Sequence, residues 1–225
     1  MIDAALAQLH AAADADYAIY AAAYHKTDRP YLGIKVPVID AMADLWRSDC
    51  SLDDRLTLAA ALWDTNIHEA RVAAAKLLTQ ARIKPDDARA WDLIQSWVPQ
   101  FDAWAIADHA CKAAEKRITA DPSRISRVEL WTTSENMWQR RAALLATLPF
   151  TKQNFPKPFE LEIRDRVLGW AAIYADDRDW FIQKAIAWWL RDLSKHDPAR
   201  VSDFLATHGA RLKPFARIEA AQYLQ

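Results

Sequence analysis

Three glycines among 225 residues argue against a fold with many tight turns, because glycine is the residue that reaches positive φ without steric cost. The same shortage argues against a parallel sheet with glycine-rich phosphate loops. Two cysteines, Cys50 and Cys111, make no disulfide framework, and no CxxC or Cys/His cluster has the spacing of a zinc site. No stretch alternates like a strand, none is of low complexity, and no linker divides the chain. The opening "MIDAALAQLHAAADADYAIY" lacks a cationic start, and no apolar run is long enough to span a bilayer. A soluble, cytoplasmic protein with no membrane association is expected. The net charge of −1 gives no global footprint of a nucleic-acid partner.

What the chain has is alanine, leucine and helix-favouring charged residues, which point to an all-α protein. Apolar periodicity and polar breaks place helices near 3–24, 37–47, 52–63, 67–81, 86–96, 100–117, 122–130, 136–148, 158–174, 178–195, 198–207 and 212–224, within one domain spanning 1–225. Pro37 and Pro85 fit first helical turns, and the carboxylates of "SLDDR" and "KPDDAR" suit helix N-termini, where the macrodipole favours them. Charge is unevenly spread: residues 1–139 hold 15 Lys+Arg against 20 Asp+Glu, and residues 140–225 hold 14 against 10. That gradient fits a C-terminal half that meets phosphates.

Twelve or so helices with short connections suggest stacked pairs, and a charge recurs once per pair. Arg71 lies in "IHEARVAAAKLL", Asp108 in "FDAWAIADHACKAA", Arg141 in "MWQRRAALLATL" and Lys184 in "WFIQKAIAWWL", at spacings of 37, 33 and 43. HEAT-like pairs repeat every ~40–47 residues. The expected architecture is therefore a HEAT-like solenoid of about six stacked antiparallel pairs. Equivalent helices would line one concave, DNA-binding face, with all four charges on it. Arg141 makes the case acute: it falls on the stripe Met137, Arg141, Leu144, Leu148, where a charge needs a partner.

Eleven tryptophans are a heavy load, and core packing accounts for Trp46, Trp63, Trp91, Trp97 and Trp131. Others keep charged company. Trp104 and Asp108 are four apart on one helix face, and Trp180, Lys184, Trp188 and Arg191 form a second such stripe. Aromatic walls, cationic rims and one acid describe a groove better than a dry core, although pairing of Asp108 with Arg141 is an alternative. No nucleophilic triad, phosphate loop or metal spacing is present. Two carboxylates flank the sugar in ordinary glycoside hydrolysis, and here only Asp108 sits on the aromatic stripe. One carboxylate suffices if the leaving group needs no proton. A cationic alkylated purine on deoxyribose is such a group, and indole faces with a carboxylate favour the positive sugar it leaves behind.

These residues resemble the AlkD-type DNA alkylation-repair glycosylases, built of HEAT-like repeats. The similarity runs from about Tyr24 to the C-terminus through "YHKTDRPYLGIKVP", "WAIAD", "ENMWQRRAALL" and "WFIQKAIAWWLRDLSKHDP". The resemblance implies a monofunctional glycosylase that excises N3- and N7-alkylated purines, of the 3-methyladenine and 7-methylguanine type, from duplex DNA without flipping the base. By motif, Trp104 and Asp108 match the family's tryptophan and catalytic aspartate, and Trp188 its second cleft tryptophan. Arg141 matches an arginine beside the lesion, with Arg140 the alternative should the register slip by one. Tyr24 matches a cleft tyrosine, while Arg71, Lys184 and Arg191 join Arg140 as DNA-binding residues. Ala105 departs from the pattern, where many relatives carry an acid. A monomer acting on double-stranded DNA that contains alkylated bases, nucleoid-associated when bound and using no metal or cofactor, is the expectation. The competing reading is a non-catalytic HEAT-repeat adaptor that binds DNA or protein, since fold does not fix function.

Overall fold

The computed structural model describes residues 1–224. Their regular structure is entirely helical: thirteen α-helices, short 3-10 turns and no strand. The chain divides into two compact units, 1–120 and 121–225. None of the described helices is long and apolar enough to cross a membrane.

The first unit contains α1 (Ile2–Ala11), α2 (Ala15–His25), α3 (Val36–Asp49), α4 (Leu52–Asp64), α5 (His68–Leu77), α6 (Ala88–Trp97) and α7 (Trp104–Ala120). Its centre is α5, which packs against α3, α4 and α7 and is buried continuously from His68 to Ala75. Alanine makes this possible. Ala70, Ala73 and Ala74 of α5, and Ala107, Ala110 and Ala114 of α7, are all at most 1% exposed, and their small side chains let the two backbones approach closely. The two helices carry Arg71 and Asp108, and they pack directly on one another, as the repeat spacing predicts. Trp63 and Trp97 stack face to face at 4.4 Å, and all five tryptophans assigned to the core are buried.

One expected helix is two. The periodicity over 3–24 is continuous, yet α1 stops at Ala11 and α2 restarts at Ala15. Asp14 caps the new helix, its side chain accepting from the Tyr17 amide at 3.0 Å, and its own amide donates to Leu32 O at 2.9 Å. Tertiary contact with the 32–34 segment overrides alanine's helix preference here. That segment is itself fixed by Glu69, whose buried carboxylate accepts from the amides of Leu32, Gly33 and Ile34. A second difference lies at Pro85, which follows a cis peptide bond and precedes α6 rather than opening it.

The second unit contains α8 (Ile125–Glu129), α9 (Met137–Leu145), α10 (Pro158–Ile173), α11 (Trp180–Ser194), α12 (Pro198–His208) and α13 (Pro214–Ala220). Its hub is α11, packed against α9, α12 and α13. Arg141 and Lys184 thus also lie on directly packed helices. The long connections of both units are tied by interior arginines. Arg117 is fully buried and bonds Asp87 and the carbonyls of Gln80 and Ala81. Arg164 plays the same part, bonding Phe150 O, Gln153 O and Asp197.

Candidate active site

Alanine packing decides which face of α7 meets solvent. Ala105, Ile106, Ala107, Ala110 and Cys111 turn inward, while Trp104 and Asp108 are half-buried and Lys112 and Lys116 exposed. The outward stripe thus runs at four-residue steps from Trp104 and Asp108 into two lysines, as i, i+4 geometry requires. Ala105, 5% exposed, points away from this stripe. An acid there would face the interior, so its absence leaves the stripe unchanged.

Around Trp104 the first unit assembles an aromatic cluster. Tyr24 meets the indole edge-on at 5.9 Å. Behind Tyr24, α2 carries a ladder in which Tyr20 stacks on Tyr24 at 6.0 Å and Tyr17 on Tyr20 at 5.6 Å. Tyr20 and Tyr24 are both more than half exposed, which for stacked aromatics in a folded chain leaves a large face available to a partner. His25 lies 5.2 Å from the indole and stacks on His68 at 4.6 Å, and Tyr31 closes the group at 4.7 Å from His68.

Burial keeps these imidazoles neutral. His68 is held down to about 3, first by desolvation and then by the nearby His25, Arg29 and His109. His109 falls to about 4, again through burial first and Lys76 second. His25 is lowered by burial, with Glu69 opposing and Arg29 reinforcing. Sequence reading missed His25, Tyr31 and His68 as neighbours of Trp104, although His25 and Tyr31 lie in the "YHKTDRPYLGIKVP" stretch. Nothing in the sequence places His68 against them, because only packing of α5 beneath that stretch does so.

Arg71 is buried inside the first unit. It is 8% exposed, donates to Trp63 O at 3.0 Å and lies 4.8 Å over the Trp63 ring. Its guanidinium braces α4 against α5, which suits a strut better than a phosphate contact.

In the second unit, Arg141 answers to α11. It is 4% exposed and donates to Phe181 O at 3.0 Å, with its guanidinium carbon 5.8 Å from the Phe181 ring. Arg140, one position earlier, bonds Asp177 at 3.1 Å and the carbonyls of Ser134 and Glu135. Arg141 therefore occupies the inner stripe with Leu144 and Leu148, and Arg140 the flank. On α11 the solvent-side stripe is the expected one: Trp180 is exposed, and Lys184, Trp188 and Arg191 are half-buried. Trp180 stacks on Phe215 at 5.9 Å. A carboxylate that sequence spacing could not reveal joins them. Glu219 of α13 accepts from both Lys184 and Arg191 at 2.6 Å, and Arg191 also pairs with Asp192. Each cation expected to seek phosphate is engaged within its own unit.

The family model described as DNA alkylation repair enzyme matches residues 5–224. A predicted DNA alkylation repair enzyme from Enterococcus faecalis is similar in structure, with a TM-score of 0.79 and 23% identity over 94% of this chain and 96% of its own. AlkD2 from Streptococcus mutans is similar with a TM-score of 0.60 and 16% identity, over 85% of this chain and 91% of its own. At those identities the likeness speaks for the fold. No curated protein matches the chain.

Proposed function

This chain belongs to the DNA alkylation repair enzymes, and we propose that within that family it is a DNA glycosylase that hydrolyses the N-glycosidic bond of cationic N3- and N7-alkylpurines in duplex DNA. The observation that carries the reading is the outward stripe of α7. It sets one carboxylate, Asp108, a single turn from an indole that is itself walled by Tyr24.

The chemistry needs little more. In a 3-methyladenine or 7-methylguanine nucleotide the base already carries the positive charge. Breaking the C1′–N bond sends the electron pair into the purine, which leaves neutral and needs no general acid. The charge passes to the deoxyribose, and Asp108 with the faces of Trp104 and Tyr24 stabilises it. Asp108 also orients the water that adds at C1′ and accepts its proton. In the second unit, Trp188, Arg141 and the flanking cations Arg140, Lys184 and Arg191 are proposed to bind DNA. The open, ladder-like aromatic surface favours a stacked substrate approached from outside over a base extruded into a closed pocket.

The adaptor reading draws on one observation. Glu219 neutralises Lys184 and Arg191, which weakens the case for phosphate contacts and favours a partner met through aromatic surface. A single substitution separates the two readings. Asp108→Asn keeps the side chain's shape and removes its charge. It should fold and bind alkylated duplex nearly as well as the parent, yet release 7-methylguanine on the order of 10²-fold more slowly under single-turnover conditions. A parental rate in that variant would put the adaptor reading ahead.

A further inference from the structure

Trp104 is the first residue of its helix, so one end of its ring is held by side chains from outside α7. Two supply that support: Tyr24, edge-on at 5.9 Å, and His25, tilted at 5.2 Å. Tyr24 is mostly exposed and cannot fix an indole by itself. His25 is different. Its ring is wedged against His68 at 4.6 Å and Tyr31 at 5.8 Å, nearly parallel to the latter. Both of those rings are anchored in turn. His68 opens the buried α5, and the Tyr31 hydroxyl shares a 2.6 Å hydrogen bond with Thr27. The His25 Nδ1 is buried without a hydrogen-bond partner, so no bond at that atom holds the ring and its ring contacts do.

We propose that His25 is a positioning residue for Trp104, holding the indole in the orientation that the proposed base release needs. The proposal rests on that reading of Trp104 as an aromatic wall. Its consequence is a pH dependence. His25 faces Arg29 and Tyr31 from the 26–35 loop, His68 and Glu69 from α5, and Trp104 from α7, with His109 further along α7. A proton on His25 would set a cation beside Arg29 and against the indole, where it competes for the π face that the positive sugar should use. Because burial already favours the neutral ring, the stack is intact at pH 7 and loosens only as pH falls below the ordinary histidine range.

The test reads the indole and the reaction separately. Protein labelled with 5-fluorotryptophan gives a ¹⁹F resonance for each of its eleven tryptophans, and Trp104→Phe identifies the one from Trp104. His25→Ala should shift and broaden that resonance selectively. It should slow single-turnover release of 7-methylguanine by roughly tenfold, the scale of one lost aromatic contact, while leaving duplex Kd within about twofold. His25→Phe, which keeps a ring in the stack, should restore the resonance and most of the rate. It should also abolish the acid-side movement of the Trp104 signal expected of the parent below about pH 6.5. A Trp104 resonance unmoved by His25→Ala overturns the proposal even if the parent releases base. So does an acid-side shift that survives His25→Phe. The reverse pattern, a responsive resonance in a protein that releases no base, upholds the positioning role and sinks the glycosylase reading.

Discussion

Gly33 sits at φ +77°, and a Cβ there would lie 2.1 Å from Asp14 O and 2.5 Å from the Ala18 amide nitrogen. The obstacle on both sides is backbone, which cannot swing away. Gly33→Ala should therefore destabilise the first unit by about 1–3 kcal/mol from backbone strain alone, and more if the 32–34 segment lifts off Asp14. Urea titration measures it, and an unchanged midpoint would mean that the segment moves freely. Glu69→Gln probes the other side of the same segment. It removes the charge that three amides share, and charge-assisted bonds are about twice as strong as neutral ones. Asp108 contrasts with both: the proposed chemistry rests on its charge, so its replacement by asparagine should cost rate.

Among the elements, α11 and α13 make the sharpest electrostatic statement. Glu219 holds Lys184 and Arg191 together on the solvent side of α11. If that side meets DNA, phosphates must compete with this carboxylate for the two cations. Glu219→Gln should then tighten duplex binding and steepen its salt dependence, by up to about 0.9 in log K per log salt for each further phosphate neutralised. Lys184→Ala should flatten the slope by about the same amount. Slopes unchanged in both variants would remove α11 from the DNA interface. Arg141→Ala should also weaken binding. It strips a buried guanidinium from Phe181 O as well, so its stability must be followed beside its affinity.

For the whole molecule the buried histidines set an acid limit on stability. His68 and His109 titrate at about 3 and about 4 when folded and near 6.5 when unfolded. Below pH 6.5 the unfolded chain therefore takes up protons that the folded one refuses. Their contribution is complete above pH 6.5 and is lost progressively as pH falls toward 4 and then 3. The slope is about 1.4 kcal/mol per pH unit for each. His25 acts in the same direction. Denaturation midpoints should drop between pH 7.5 and pH 5.5, a window above the range in which most carboxylates titrate. Superimposable curves at the two pH values would show that these rings are solvated.

Sequence by itself determined the helical class, because composition and 3.6-residue periodicity are local properties that each helix expresses alone. It also determined the stripes. Trp104 with Asp108, and Trp180 with Lys184, Trp188 and Arg191, share faces by helical geometry, and alanine on the opposite side of α7 leaves the first pair outward. The choice between Arg140 and Arg141 stayed open in the sequence, and packing puts Arg141 on the inner stripe with Leu144 and Leu148 and Arg140 on its flank. Contacts between segments far apart in the chain were not legible, because no local pattern encodes them. The break at Asp14 depends on Leu32, the stack beneath Trp104 on His68, the fate of Lys184 and Arg191 on Glu219, and the burial of Arg71 on Trp63. In each case a side chain's availability is set by a partner from another helix. Its charge and shape were written in the sequence, and what it is free to do was decided by packing.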